Sequence, residues 1–316
     1  MQNFLFATLD AGGNLPPAAG IACELMRLGH RVRFLGHPQQ AAAIRATGAE
    51  FLPYSHSAPL TMAEQMPTLR QVSMLVSVFT DSGIARDLVE EARREPPDVV
   101  IVDCLLLGAR DAAAKAGLFT VALMHSFYAF FDGPFRRTPI TAALAVRGLG
   151  PRRVMDQARR ILVCTDRLLD PAGKLNANRR VVWSGAVVDV DRPAGTRRDG
   201  SAPRLLISLS TTAFNGQQSF LQRALNAVAD LPVEAILTTG PAVDPAAIHA
   251  PPNVAVQDAH AGLLIKASAS TEEIAGAVRT VAESAPFRRA ASALGQRLRE
   301  SDGAWTGARL LVEFSG

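Results

Sequence analysis

An aspartate and a histidine stand where two strand-like apolar runs end. Asp103 closes the run Asp98–Asp103, and His125 directly follows the run Phe119–Met124. Continuous apolar runs are typical of parallel strands, whose carboxyl ends meet at one edge of a sheet, so we expect these two side chains to lie beside one another. A carboxylate and an imidazole together can accept a proton from a reacting group. Alternatively, Asp103 caps the next helix and His125 is a hydrogen-bonded loop histidine.

A second polar set follows strand-like runs later in the chain. It consists of hydroxyl residues in a turn between a strand and a helix, then a Thr-Gly pair after the next strand: Ser208, Ser210, Thr211 and Thr212, followed by Thr239 and Gly240. Hydroxyl groups and backbone amides in such a turn can hold phosphate oxygens. The alternative is ordinary capping of the following helix.

The first strand-like run leads into a glycine-rich turn, Asp10–Asn14, and then into a helix opened by two prolines. This turn invites comparison with dinucleotide-binding proteins. However, Gly12 and Gly13 lack the spacing of the dinucleotide-binding motif. The second run ends in Gly36-His37, whereas dinucleotide-binding proteins have an acidic residue there that contacts the ribose. The turn therefore argues against an NAD or FAD site, and we expect no cofactor.

The alternation of strand-like and helix-like patterns in the first part of the chain predicts a scaffold of parallel strands for these residues. The strand-like runs are Asn3–Thr8, Arg31–Leu35, Glu50–Leu52, Asp98–Asp103, Phe119–Met124 and Ile161–Cys164. Helix-like segments separate them, including a long one ending near Arg94 and a helical region around Ala142–Arg159. This order is typical of a doubly wound α/β domain.

Residues 191–203 are polar, contain Pro and Gly, and have no apolar period, which indicates a linker. We therefore expect one domain at residues 1–190 and a second at residues 204–316. The predicted strands of the second domain are Arg204–Leu209, Val233–Thr238 and Val254–Gln257. A capping box at Ser270–Glu273 then predicts a helix, and helical patterns continue to Phe314.

Aromatic residues are dense after His125, although only 6% of the chain is aromatic: Phe127, Tyr128, Phe130, Phe131 and Phe135. We predict that they line a pocket for a lipophilic ligand, together with residues from the first half of the domain: Gly13, Met62, Met66, Met74 and Phe79. The alternative is that these side chains simply pack in the core or between domains.

The composition excludes several classes of protein. The net charge is only +4, from 33 basic and 29 acidic residues that are scattered along the chain, so we expect no nucleic-acid partner. Cys23, Cys104 and Cys164 lie in apolar stretches and favour buried free thiols over disulfides or a cysteine-rich metal site. No apolar stretch reaches about eighteen residues, and no leader pattern is present, so we expect a cytoplasmic protein without a membrane span.

Four segments resemble the GT-B glycosyltransferases of actinobacterial type, which use nucleotide sugars to modify natural products. They are Gly13–Pro17 with Glu24–Val32, Asp98–Asp103, Ser208–Thr212 and Thr238–Pro241, and the resemblance runs through most of the chain. It implies two Rossmann-like domains, the first for the acceptor and the second for a nucleoside-diphosphate sugar, with the chemistry in the cleft between them. It implies no metal, and it places Thr239 and Gly240 beside the nucleoside.

Many members of this family have a histidine in the loop after the first strand, supported by the aspartate that ends the fourth strand. Asp103 matches that aspartate, but Asn14 stands at the histidine position, and an amide cannot act as a base. The resemblance therefore predicts transfer of a sugar, with inversion, to a hydroxyl of a small lipophilic acceptor, with Asp103 or His125 as candidates for the base. The alternative is a non-catalytic GT-B-like binding or partner-activating protein, and a homodimer is compatible with both.

The resemblance is interrupted after Gln257. Family members continue with a His-x-Gly-x-Gly-Thr turn for the diphosphate and an Asp-Gln pair for the sugar. Here Gln257–Gly262 leads directly to a segment resembling the region beyond that pair, which is a difference of about sixty residues or two strand-helix repeats. We therefore expect a shortened second domain, whether by natural deletion, by engineering or because a segment is omitted from the sequence.

Overall fold

The computed structural model describes residues 1–57, 60, 67–174, 180–187, 202, 204–209, 213, 215–239, 243–249, 254–256, 270–283 and 285–314. Contacts divide the chain into two units. The first unit comprises Met1–Leu60, Leu69–Asp191 and Leu298–Gly316, and the second comprises Thr61–Thr68 and Arg192–Arg297.

The first unit contains a parallel sheet of seven strands in the order β3-β2-β1-β4-β5-β6-β7. The strands are β1 (Asn3–Ala7), β2 (Arg31–Gly36), β3 (Glu50–Pro53), β4 (Val99–Asp103), β5 (Thr120–Met124), β6 (Arg160–Val163) and β7 (Val181–Trp183). The predicted doubly wound α/β class is thus confirmed. Every residue of β4 and β5 is buried, which explains their continuous apolar sequences. Strand β7 was not predicted, because three residues are too short to show a period.

Eight α-helices in the described part of the first unit lie between its strands in chain order. They are α1 (Leu15–Arg27), α2 (Ala41–Ala46), α3 (Thr68–Phe79), α4 (Ser82–Arg94), α5 (Leu107–Lys115), α6 (Tyr128–Asp132), α7 (Pro139–Val146) and α8 (Pro151–Gln157). The single long helix predicted to end near Arg94 is two helices. Asp81 separates them, because its Oδ1 accepts hydrogen bonds from the amides of Gly83 and Ile84, at 2.7 and 3.0 Å, and caps α4. The region predicted around Ala142–Arg159 is likewise divided into α7 and α8.

The second unit contains a parallel sheet of three strands in the order β10-β9-β8, formed by β8 (Arg204–Ser208), β9 (Glu234–Thr238) and β10 (Val254–Val256). Two α-helices, α9 (Gln217–Val228) and α10 (Thr271–Glu283), pack together, and a third, α11 (Ala285–Glu300), follows. The capping box predicted at Ser270 is confirmed, since the Ser270 amide donates to Glu273 Oε2 and the Glu273 amide donates to Ser270 Oγ. The predicted interruption after Gln257 lies outside the described residues.

The last helix, α12 (Gly303–Phe314), belongs to the first unit rather than to the second. Ala308 and Leu311 are fully buried in the core that contains Ile21 and Leu25 of α1. We predicted that residues 204–316 form one domain. The structure instead assigns the end of that range, Leu298–Gly316, to the first unit. The apolar face of α12 requires a partner, and its sequence period could not identify α1 as that partner.

A buried ion pair joins β2 to α4. The Arg33 side chain has no exposed surface and donates to Glu91 Oε1 and, at 2.7 Å, to the Glu95 carbonyl oxygen. Burial lowers the pKa of Arg33, although the neighbouring Glu95 counteracts that shift. A charge in this position must keep its partners, because an unpaired buried charge is strongly unfavourable.

We predict that Glu91→Leu lowers the free energy of unfolding by about 3 kcal/mol, because it leaves the Arg33 guanidinium without its main counter-charge. The double variant Arg33→Met/Glu91→Leu should recover much of that loss. Glu90→Gln is the matched control: the Arg86–Glu90 pair lies on the same helix but is exposed, so its loss should cost less than about 1 kcal/mol. Chemical denaturation measures the free energy of unfolding of all three variants. Equal losses of that free energy in Glu91→Leu and Glu90→Gln would contradict the prediction.

Candidate functional site

Asp103 is the last residue of β4, and its side chain is buried, with only 4% of its surface exposed. Its Oδ2 accepts a hydrogen bond of 2.7 Å from Asn14 Nδ2, and its Oδ1 accepts one of 2.8 Å from the Leu105 amide. The residue at the N-cap position of α5 is Leu106, so Asp103 orders the preceding turn and does not cap the helix. The carboxylate is thus held in place from two sides.

His125 directly follows β5 and faces the same carboxylate. Its Nε2 lies 3.6 Å from Asp103 Oδ2 and 3.5 Å from Cys104 Sγ, and 13% of its side chain is exposed. We call Asn14, Asp103, Cys104 and His125 the Asp103 cluster. The predicted neighbourhood of Asp103 and His125 is therefore present, and Cys104 is an additional member that the sequence analysis treated only as an apolar thiol.

The order of the strands explains why these four residues meet. Strand β4 lies between β1 and β5, with Val102 paired to Ala7 and Asp103 paired to Leu123. The turn after β1 and the residue after β5 therefore flank the end of β4 at the carboxyl edge of the sheet. Asn14 stands at the N-cap of α1 without capping it, which leaves its amide free to donate to Asp103.

The charges of the cluster act strongly on His125. Burial by itself lowers the pKa of the imidazole, but the neighbouring Cys104 sulfur and the Asp103 carboxylate outweigh burial and raise the pKa of His125 to about 11. The imidazole is therefore a cation at neutral pH, paired with a buried carboxylate. Tyr54 does not compete for this role, since burial, Asp103 and Asp87 keep its pKa well above the usual value and its hydroxyl donates to the Thr8 carbonyl oxygen.

The aromatic residues after His125 divide into two groups. Tyr128, Phe131 and Phe135 are buried, whereas Phe127 and Phe130 are 41% and 44% exposed. The cavity that Tyr128 and Phe131 line has a volume of about 20 Å³ and is too small for a lipophilic ligand. A depression of about 580 Å³ close to it is lined by Arg136, Thr141, Gly150, Pro151, Arg152, Arg153 and Asp156.

Asp170 anchors this aromatic segment. It has no exposed surface, and its carboxylate accepts hydrogen bonds from the amides of Tyr128 and Ala129 and from Trp183 Nε1. No sequence pattern indicated a role for Asp170. A carboxylate directly before Pro171 in a polar turn offered no signal for a partner more than forty residues away.

The structure describes only some of the other residues assigned to the lipophilic pocket. Phe79 is buried at the end of α3, and a side chain added at Gly13 would contact nothing within 4 Å, so that turn is open. Met62 and Met66 lie outside the described residues, and the pocket stays a prediction.

In the second unit, Ser208 and Thr239 lie at the carboxyl ends of neighbouring strands. Thr238 Oγ1 donates a hydrogen bond of 2.7 Å to Ser208 Oγ, which connects β9 to β8, and Thr239 is buried. Ser210, Thr211, Thr212 and Gly240 lie outside the described residues, so their contact with phosphate or nucleoside stays a prediction. None of the described helices is long and apolar enough to cross a bilayer.

Sequence comparison finds no matching family model and no matching curated protein. Solved structures do match. The calicheamicin glycosyltransferase CalG4 is 18% identical with a TM-score of 0.73, over 99% of this chain and 98% of that chain. Glycosyltransferase VinC in complex with dTDP is 17% identical with a TM-score of 0.64, over 99% of each chain.

The spinosyn rhamnosyltransferase SpnG, complexed with spinosyn aglycone, is also similar: it is 17% identical with a TM-score of 0.67, over 98% of this chain and 100% of that chain. TM-scores of this size establish a shared architecture, and all three alignments extend over nearly the full length of both proteins. The expected architecture of two Rossmann-like α/β units is confirmed, and the chain has the GT-B fold.

Proposed function

We propose that the protein transfers a sugar, with inversion, from a nucleoside-diphosphate sugar to a hydroxyl group of a small lipophilic acceptor. The observation that carries this proposal is the His125–Asp103 pair, placed at the carboxyl edge of the sheet in a chain with the GT-B fold. One similar structure is a complex with dTDP and another is a complex with spinosyn aglycone, which supports the two classes of substrate. A cytoplasmic location and homodimer formation stay predictions from the sequence.

The reaction requires a base, because a neutral hydroxyl group is a weak nucleophile until it loses its proton. Asn14 cannot accept that proton, and both oxygens of Asp103 already accept hydrogen bonds from Asn14 and Leu105. His125 is the more exposed partner of the pair, at 13% against 4% for Asp103. We therefore assign the base to His125 and the support of its charged form to Asp103.

The ring of His125 suits this assignment. Its Nε2 faces Asp103 and Cys104, so Nδ1 is the nitrogen available to the acceptor hydroxyl. As the new bond between the acceptor oxygen and the anomeric carbon forms, the bond to the diphosphate breaks and the proton moves to His125. The buried carboxylate of Asp103 then stabilises the resulting imidazolium, and the nucleoside diphosphate leaves with its electron pair.

Asn14 has the role of a neutral donor in this arrangement. Its amide supplies a hydrogen bond to Asp103 Oδ2 without supplying charge. It thereby keeps the carboxylate oriented for His125, and it occupies the position at which the family resemblance implies a base. The imidazole function has moved from the turn after β1 to the end of β5, with Asp103 retained between the two positions.

We expect His125→Ala and Asp103→Asn each to lower kcat by about a hundredfold or more, the usual cost of losing a general base or its support. Asn14→Ala should reduce kcat less, because it removes only one hydrogen bond to the carboxylate. His30→Gln is a matched control, since His30 precedes β2 at the opposite edge of the sheet. Steady-state assays with a nucleotide sugar and a panel of aglycones measure these effects. Full turnover in both the His125 and Asp103 variants rules out the assignment.

The pH dependence of kcat/KM should also be unusual. Because the pKa of His125 is raised, the neutral base is the minor form at pH 7, and its fraction grows about tenfold per pH unit towards the raised pKa. We therefore expect kcat/KM to keep rising above pH 7.5, where a histidine of ordinary pKa, about 6.5, has reached its plateau.

The fold must be monitored in the same experiment. A histidine whose pKa is raised in the folded state stabilises the protein fully below its unfolded pKa, about 6.5, and that contribution is lost as the pH rises towards 11. Circular dichroism at each pH separates loss of structure from loss of activity. A plateau that begins near pH 7 in folded protein would contradict the proposed role of His125.

A non-catalytic binding or partner-activating protein is the second candidate, and Asn14 at the position of the family histidine favours it. Equilibrium binding of labelled nucleotide sugars distinguishes the two candidates. The enzyme requires a saturable donor site, whereas the alternative predicts that none is found while the fold is intact.

A further inference from the structure

Three different metal-ligating atoms converge in the Asp103 cluster. Asp103, Cys104 and His125 each offer one ligand atom, and these three atoms all lie within 4.8 Å of one another. His125 Nε2 lies 3.6 Å from Asp103 Oδ2 and 3.5 Å from Cys104 Sγ. The separation of nitrogen and oxygen is too long for a hydrogen bond, so the imidazole faces the carboxylate without binding it closely.

These separations agree with the geometry of a tetrahedral metal centre. With bonds of about 2.0 to 2.1 Å to nitrogen, 2.0 to 2.2 Å to oxygen and 2.3 Å to sulfur, tetrahedral angles place the ligand atoms of zinc about 3.3 to 3.6 Å apart. The two measured distances from Nε2 match that range. Two of the three separations therefore already suit an ion bound between these atoms, and the third is at most 4.8 Å.

We propose that the Asp103 cluster binds one divalent transition-metal ion, with Zn²⁺ as the best fit, through Cys104 Sγ, His125 Nε2 and Asp103 Oδ2. Two adjacent strands, β4 and β5, carry the ligands, so the backbone already holds them in position. A water molecule would complete four-coordination, since the protein supplies three ligands. The thiol proton and the proton on Nε2 leave to solvent as the metal enters.

The surroundings of the ligands support such a site. Asn14 Nδ2 donates to Asp103 Oδ2, and the Leu105 amide donates to Oδ1, so the ligating carboxylate is oriented by neighbours that are not ligands themselves. Cys104 is 1% exposed, which protects its sulfur. One thiolate and one imidazole favour zinc or cobalt over magnesium and calcium, which require oxygen ligands.

A second group in the described part of the chain, His56, Asp87 and Glu90, lacks these properties. Asp87 Oδ2 already accepts two backbone amides, and Glu90 pairs with Arg86 at 2.7 Å. His56 Nδ1 contacts Asp87 Oδ1 directly at 2.5 Å, and His56 and Glu90 are exposed. This group is therefore satisfied without a metal, and it has no thiolate.

Metal binding would occupy the imidazole and the carboxylate that the proposed transfer reaction uses. Zinc should then inhibit sugar transfer and a chelator should restore it. That consequence rests on the proposed function, whereas the metal site itself does not. The two are separated by a binding experiment that requires no turnover.

The test uses the metal-free full-length protein and Co²⁺ as a spectroscopic probe, followed by competition between Zn²⁺ and a chromophoric chelator. We expect one equivalent of Co²⁺ to produce a thiolate-to-cobalt charge-transfer band and the strong visible absorption of tetrahedral cobalt. Cys104→Ser should abolish the charge-transfer band, and His125→Gln should abolish the tetrahedral absorption. Each variant should also bind Zn²⁺ at least tenfold more weakly. Thermal melts of both variants confirm that they are folded.

Cys164→Ser is the matched control. Cys164 is also a buried thiol, but it lies outside the group of three ligands, and burial raises its pKa to about 12. This variant should keep the full cobalt spectrum and the affinity for Zn²⁺. Absence of a charge-transfer band in the unmodified protein, or equal Zn²⁺ affinity in Cys104→Ser and Cys164→Ser, overturns the proposal.

Discussion

Burial of the Asp103 carboxylate is the constraint on which the site depends. A charge at the end of a fully buried strand is unfavourable unless hydrogen bonds and opposite charge compensate for lost hydration. Asn14 and the Leu105 amide supply the hydrogen bonds, and His125 supplies the opposite charge. Because all of these groups come from the carboxyl edge of one parallel sheet, the same arrangement that stabilises the carboxylate also places it beside His125, the proposed base.

Arg110 extends this balance of charge into the first helix after β4. Its guanidinium is 1% exposed and donates to the Val154 carbonyl oxygen at 2.9 Å and to Met155 Sδ. Burial lowers the pKa of Arg110 to about 10, although Cys104 and Asp103 counteract that shift. Cys104 and Asp103 therefore compensate in part for the lost hydration of the Arg110 guanidinium. Arg110 also connects α5 to α8 through its hydrogen bonds.

The sequence predicted the strands that carry the site, because continuous apolar runs in a parallel sheet are long enough to recognise and their ends meet at one edge. That rule also predicted that Asp103 and His125 are neighbours. It could not predict that Cys104 Sγ lies against His125 or that Asp170 anchors the aromatic segment, since both depend on the direction of side chains after the chain has turned. The division of the aromatic residues into buried and exposed members likewise depends on tertiary packing. The short strand β7 was missed because three residues are too few to show a period, and the position of α12 was missed because local periodicity does not identify distant partners.

The return of α12 to the first unit has a consequence for how the protein is made. A side chain at Gly303 would collide with the backbone of Ala186, and one at Gly307 would displace the side chain of Ile21. Ala308 and Leu311 fill the core beside α1. Residues 1–191 therefore emerge from the ribosome with one face of their core uncovered. The whole second unit is synthesised before α12, which covers that face, emerges. During that interval the apolar face of α1 is exposed to chaperones and to other nascent chains. The yield of folded protein in a cell is thus tied to a segment that is translated only after the whole second unit.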